Sequence, residues 1–121
     1  MDPDSREPFC PYFHHAAELI GRRWTGAIIR AMLAGVSRFS DLAETVPGLS
    51  DRMLSERLKE LEAEGVVVRR VTPDTPVRIE YCLTDKGRDL APAIDAISDW
   101  ATRHVVIDGA PAAPAHAPAA G

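Results

Sequence analysis

The feature that most constrains this sequence is a change of apolar period at Gly65: helical spacing before it, strand spacing after it. Phe13, Ala16, Ala17 and Ile20 fall at i, i+3, i+4 and i+7 behind Pro11, which suits the first turn of a helix, and Gly21 closes it. Trp24, Ala27, Ile28 and Ala31 repeat the pattern in a second helix that ends at Gly35. Phe39, Leu42, Ala43 and Val46 mark a short third helix, with Ser37 or Ser40 as its cap and Pro47-Gly48 as its stop. Ser50 is a favourable N-cap for a fourth, which runs to about Glu64 with Leu54, Leu58 and Leu61 turned inward. Residues 66–71 then form a continuous strand-like run, β-branched except for Arg69 and Arg70. Val77, Ile79, Tyr81 and Leu83 alternate with Arg78, Glu80 and Cys82, as in a half-buried strand. Pro73-Asp74-Thr75-Pro76 turns one strand into the other. Thr84 caps a last helix with Leu90, Ile94, Ile97 and Ala101 as its stripe and Trp100 beside them; Pro92 fits only near its start, or bends it.

A chain of 121 residues suits one core that needs neither disulfides nor metals. Residues 1–9 read as a flexible arm and 108–121 as a disordered Ala/Pro-rich tail, leaving 10–107 as the folded domain. No apolar run approaches the length of a membrane span, and the acidic start is no secretory signal, so the expected location is the cytoplasm, with no membrane partner. Cys10 and Cys82 are too few for a disulfide scaffold or a structural zinc site. The net charge is −4, yet residues 21–40 hold Arg22, Arg23, Arg30 and Arg38 and no acid. That distribution argues against bulk polyanion coating and leaves room for a local basic face. Neither a Gly-rich phosphate loop nor a triad-like arrangement is present, so no enzyme activity and no cofactor are expected.

The third and fourth helices, joined by a tight Pro-Gly-Leu-Ser turn, make a helix-turn-helix whose second helix suits a DNA major groove. On that helix Arg52 and Lys59 can reach guanine edges or phosphates, Ser55 and Glu56 can read bases, and Met53 can meet a thymine methyl. Ser50 and the helix N-terminus suit a phosphate. The alternative is a solvated helix face in which Glu56 and Glu60 are interleaved with Arg57. The hairpin that follows favours DNA, because helix-turn-helix plus hairpin is the winged-helix arrangement. The expected fold is mainly α with a small β-hairpin wing (α+β), a winged helix-turn-helix.

Specific motifs strengthen this reading. Cys10-Pro11, Leu19-Ile20-Gly21-Arg22-Arg23-Trp24-Thr25 and Arg38-Phe39-Ser40-Asp41-Leu42 occur in that order. Pro47-Gly48-Leu49-Ser50 follows, then the run from Met53 to Glu62, then Arg78-Ile79-Glu80-Tyr81-Cys82-Leu83-Thr84 with Gly87. Over residues 10–103 the chain resembles the HxlR-type bacterial regulators. The resemblance implies a dimeric winged-helix transcription factor of MarR-like architecture, with the first and last helices as the dimer interface. Phe13, Ala17, Ile20, Leu90, Ile94, Ile97, Trp100 and Ala101 are the residues expected there. It also implies that Arg78 on the wing reaches DNA; otherwise it is a strand-surface arginine paired with Glu80 or Asp74. Arg22 and Arg23 are expected as phosphate contacts, or one of them caps the first helix or pairs with Glu18; Arg38 joins the DNA-binding set. Trp24 belongs to the core. Two departures stand out: Arg23 replaces a usual lysine, and Cys82 a frequent serine.

Cys10 stands where such proteins commonly carry a cysteine, which some of them use to sense oxidants or electrophiles. Its place just before a helix favours reactivity; the alternative is a small apolar residue packed against a partner helix. His14 lies four residues on, but a third metal ligand is lacking. The expected function is therefore a sequence-specific DNA-binding repressor that meets a pseudo-palindromic operator as a homodimer, with a small-molecule or electrophile effector. A winged-helix protein-interaction module without DNA sequence specificity is the alternative, and a thiol enzyme built on Cys10 lacks a base.

Overall fold

Helices occupy Pro11–Gly21 (α1), Thr25–Leu33 (α2), Phe39–Thr45 (α3) and Asp51–Ala63 (α4) in a computed structural model that describes residues 7–109. Strands Val67–Thr72 (β1) and Arg78–Leu83 (β2) follow, then helices Asp85–Arg88 (α5) and Ala91–His104 (α6). Most of the expected arm and nearly all of the expected tail lie outside the described residues.

α1 starts on Pro11, and Cys10 is its N-cap: the Phe13 N–H donates to Cys10 Sγ at 3.4 Å. The helix ends where Arg22 becomes extended, and the chain re-enters helix through Trp24, whose φ is +79°. α2 then buries Thr25, Ile28, Ile29, Ala31 and Met32. This differs from the expected stripe, since Ala27 is exposed while Ile29 and Met32 are inside. The reason is that α1, α3, α6 and β2 all pack on α2, so it has no single inward face.

α3 is capped by neither serine named above. Its N-cap is Arg38, without a side-chain cap bond; Ser37 Oγ instead donates to Glu80 at 3.3 Å, and Ser40 lies inside the first turn. Gly48, at φ +84°, turns the chain toward α4. There Ser50 Oγ accepts from the Met53 N–H at 3.1 Å, and Leu54, Leu58 and Leu61 enter the core as the spacing predicts. Ile28, Ile29, Leu42, Leu54, Leu58, Leu61 and Val66 are the most deeply buried apolar side chains. Burial of each aliphatic group contributes about 1.5–3 kcal/mol.

β1 and β2 pair antiparallel, from Val67 opposite Leu83 to Thr72 opposite Arg78, and β1 has no other strand partner among the described residues. Burial follows distance from the body and not the expected alternation: Leu83 is buried, Glu80 to Cys82 are half-buried, and Arg78 and Ile79 are exposed. The hairpin projects outward, so toward its tip neither face has anything to pack on. At its root, the Tyr81 N–H donates to the Ser37 carbonyl at 2.8 Å, tying β2 to the α2–α3 link.

The single last helix expected from the sequence is two. Thr84 Oγ1 accepts from the Gly87 N–H and caps only α5. Pro92 falls in the first turn of α6, after Leu90 as N-cap. Gly87 lets α5 sit directly on β1's approach: a β-carbon there would stand 2.3 Å from the Val66 carbonyl oxygen.

Candidate nucleic-acid interface

α3, the Gly48 turn and α4 form the helix-turn-helix, and the hairpin is its wing. Arg52, Glu56 and Lys59 are all exposed on α4 at i, i+4 and i+7, hence on one face. Arg52 is 88% exposed, and its Nε lies 3.4 Å from Glu56 Oε1, a weak pair that a base or phosphate can displace. Ser55 is half-buried beside that face. Met53 is half-buried, its side chain packed partly against the core. Ser50 accepts the Met53 N–H and keeps its hydroxyl proton to donate.

The fold brings Arg38 and Arg78 together. Both line an open cleft between the start of α3 and the wing, with Phe39, Asp74 and Ile79. Arg78 Nη2 lies 3.9 Å from Asp74 Oδ2, and both side chains are about half exposed. Thus one cation from the α2–α3 link and one from β2 edge the same opening, beside the helix-turn-helix.

Arg22 and Arg23 lie elsewhere. Arg22 pairs with Glu60 on the C-terminal half of α4, not with Glu18. The Arg23 guanidinium stacks 4.7 Å above the Trp24 ring, and Trp24 itself packs against the core. Arg57, which the alternative reading put on a solvated face, has a side chain only 14% exposed. Its Nε donates to the Arg23 carbonyl at 2.9 Å, and its Nη1 donates to Glu60 at 2.9 and 3.2 Å. Its position between Leu54, Leu58 and Leu61 was the one sequence signal that it turns partly inward. One turn beyond Glu60, Glu64 Oε1 lies 2.5 Å from His15 Nε2, and this hydrogen bond holds the Glu64 carboxyl below the usual glutamate range.

Cys10 is exposed and Cys82 half-buried. His14 lies 3.8 Å from Glu18 and meets the Phe9 ring at a tilt, and no group of three or more potential metal ligands occurs among the described residues. The residues expected at a dimer interface divide. Phe13 (74% exposed), Ala17, Ile97 and Trp100 (both 56% exposed) face outward, with Tyr12 beside them. Ile94 lies in the core of its own chain, where α6 packs on α2, and Ile20 of α1 and Leu90 before α6 pack partly against that core. Ala101 is half-buried. Among the described residues, no helix is long and apolar enough to cross a membrane.

Residues 19–108 match the HxlR-like helix-turn-helix family. The uncharacterised HTH-type transcriptional regulator YvaP of Bacillus subtilis (strain 168) is 52% identical over 101 residues, covering 84% of this chain and 94% of YvaP. The HTH-type transcriptional regulator YodB of the same organism is 45% identical over 92 residues, 76% of this chain and 82% of YodB. The structure of reduced YodB is similar with a TM-score of 0.73 at 42% identity, over 80% of this chain and 95% of that one; diamide-treated and quinone-bound YodB structures are similar too. The redox regulator HypR in its oxidised form gives a TM-score of 0.74 at 34% identity, over 81% of this chain and all of that one.

Proposed function

The chain belongs to the HxlR-like helix-turn-helix family and is a DNA-binding transcriptional regulator, not an enzyme; from this premise we propose that it is a cytoplasmic repressor that binds a pseudo-palindromic operator as a homodimer and responds to thiol-reactive compounds through Cys10. The observation that carries the DNA reading is the exposed row Arg52, Glu56 and Lys59 on α4, with Arg38 and Arg78 edging the cleft at the wing. A helix presented this way reads base edges, and flanking arginines hold the backbone. Residues 10–107 are the working unit in this reading.

Dimerisation is supported by the outward Tyr12 and Phe13 on α1 and by Ile97 and Trp100 on α6. Two-fold pairing through these helices sets two α4 helices about one DNA turn apart. The sensing part is supported by the exposed thiol at the N-cap of α1, and by a 45% identical relative, YodB, whose structures include diamide-treated and quinone-bound forms. Covalent change at Cys10 would shift α1 within the dimer and so alter the spacing of the α4 pair.

The test is a footprint on the promoter region of the protein's own gene, with a salt titration and competitor DNA. Specific binding that weakens steeply with salt and survives competitor is expected. Equal binding to any duplex would instead favour an interaction module without sequence specificity. Cys10→Ser is expected to bind the operator normally and to stay bound in diamide or quinone; equal responses from wild type and variant would overturn the sensing role.

A further inference from the structure

Glu60 and Glu64 stand one turn apart on the C-terminal half of α4, and both face α1. Arg22, the C-cap of α1, pairs with Glu60, and His15 reaches Glu64. His15 and Arg22 are seven residues apart, two turns along the same side of α1, with Leu19 packed toward the core between them. Glu60 holds a second cation, Arg57, whose Nε also binds the Arg23 carbonyl. One side chain of α4 therefore holds both the next carboxylate and the backbone of the α1–α2 joint, where Trp24 adopts a left-handed conformation.

This arrangement is more than a surface pair. An exposed Arg–Glu pair contributes little. Arg57, however, is mostly removed from solvent, and its guanidinium makes three hydrogen bonds, one to the Arg23 carbonyl and two to the Glu60 carboxylate. A desolvated cation is kept in place only by such pairing. Glu60 lies eight residues beyond Arg52, about 12 Å along the helix axis. The clasp thus grips α4 away from Arg52, the first member of its exposed row. Arg22 is engaged by Glu60, which it shares with Arg57, so the cluster of three keeps one net positive charge while both guanidinium groups are directed at a carboxylate of α4.

We propose that Glu60 and Arg57 are positioning residues for DNA recognition, which lock the α1–α2 joint to α4, and that Arg22 serves this clasp instead of a phosphate. The inference rests on the DNA-binding reading above. It makes the tilt of α4 depend on the end of α1, the helix that Cys10 caps.

The experiment measures operator affinity against salt for the full chain and for Arg22→Ala, Glu60→Gln and their double variant. Each single change is expected to weaken binding by about tenfold, ~1.4 kcal/mol, with the wild-type slope of log affinity against log salt. The double variant is expected to be no weaker than the weaker single one. The active fraction in a stoichiometric titration should stay unchanged, which distinguishes mispositioning from partial unfolding. A slope smaller by about one in Arg22→Ala would make Arg22 a phosphate contact and overturn the clasp. If Glu60→Gln fails to fold, Arg57→Lys, which keeps the charge and loses the Nε bond, should show the same weakening at the same slope; wild-type affinity would overturn the proposal. If the wild type does not discriminate the operator, the DNA reading fails by itself. The same cycle is then read in thermal unfolding, where strict additivity would overturn the clasp.

Discussion

The Trp24 indole packs against the α-carbon of Gly48, so closely that a β-carbon at Gly48 would stand 3.2 Å from Trp24 Cη2. Gly48 is also in the left-handed region, at φ +84°. The joint that precedes α2 and the turn that precedes α4 therefore brace each other. Gly48→Ala combines backbone strain with this contact and is expected to cost about 1–2 kcal/mol of stability. Thermal unfolding checks it; an unchanged midpoint would show that the indole yields freely.

Gly87→Ala is expected to be worse. Its new methyl meets the Val66 backbone carbonyl at 2.3 Å, which has no rotamer through which to escape. A loss of about 2–3 kcal/mol is expected, with β1 and α5 forced apart. Denaturant unfolding measures it, and a value below that of Gly48→Ala would contradict the assignment.

Arg52→Ala and Arg78→Ala should differ in kind. Arg52 stands on the exposed face of α4 proposed to read bases, so its loss is expected to change sequence preference and cost about 1–3 kcal/mol at the operator. Arg78 edges the wing cleft, so its loss should weaken binding evenly across sequences and lower the salt slope by about one. Binding to a randomised operator library separates the two patterns.

The His15–Glu64 bond carries a pH signature. The Glu64 carboxyl titrates below its ordinary range because His15 hydrogen-bonds it. A depressed carboxylate contributes stability that is present above the unfolded-state value and is lost as pH falls through the folded value. His15→Ala should therefore be less stable than wild type where Glu64 is ionised, and the gap should close as pH falls through the depressed Glu64 value. A gap independent of pH throughout acid titration would show that the histidine acts through packing.

Phe13→Glu and Trp100→Glu each place a charge on the outward face of α1 or α6. Both variants should sediment as monomers at micromolar concentration and lose operator affinity, with secondary structure intact. Dimers of unchanged stability would move the interface elsewhere.

How far the sequence foretold this structure depended on whether local signals agreed. At α4 the Ser50 cap, the leucine row and the Gly65 stop coincide, and the helix is where they put it. At α2 the packing of four elements erased the single stripe, so Ile29 and Met32 went unnoticed. α5 is too short to show a period, and Thr84 was therefore credited to the helix beyond it. The sign of Arg22 was legible, but its partner Glu60 is 38 residues away, and only the folded chain reveals the pair. Arg57 was hidden for the same reason. The exposure of the cations Arg52, Lys59 and Arg78, proposed to meet DNA, was easier to foresee, because it follows from each residue's own element.

The unpaired side of β1 has a consequence for solubility. Residues 66–72 would be an unbroken β-forming run, Val66, Val67, Val68, Val71 and Thr72, but for Arg69 and Arg70 in its middle. An open strand edge of that composition invites further chains to add to it and grow into aggregates, and charged residues on the edge oppose this. β2 is closed off at its root by the Ser37 carbonyl, whereas β1 has no strand on its far side among the described residues. The two arginines stand in the middle of that exposed strand, and with valines in their place the wing would become a seed for aggregation.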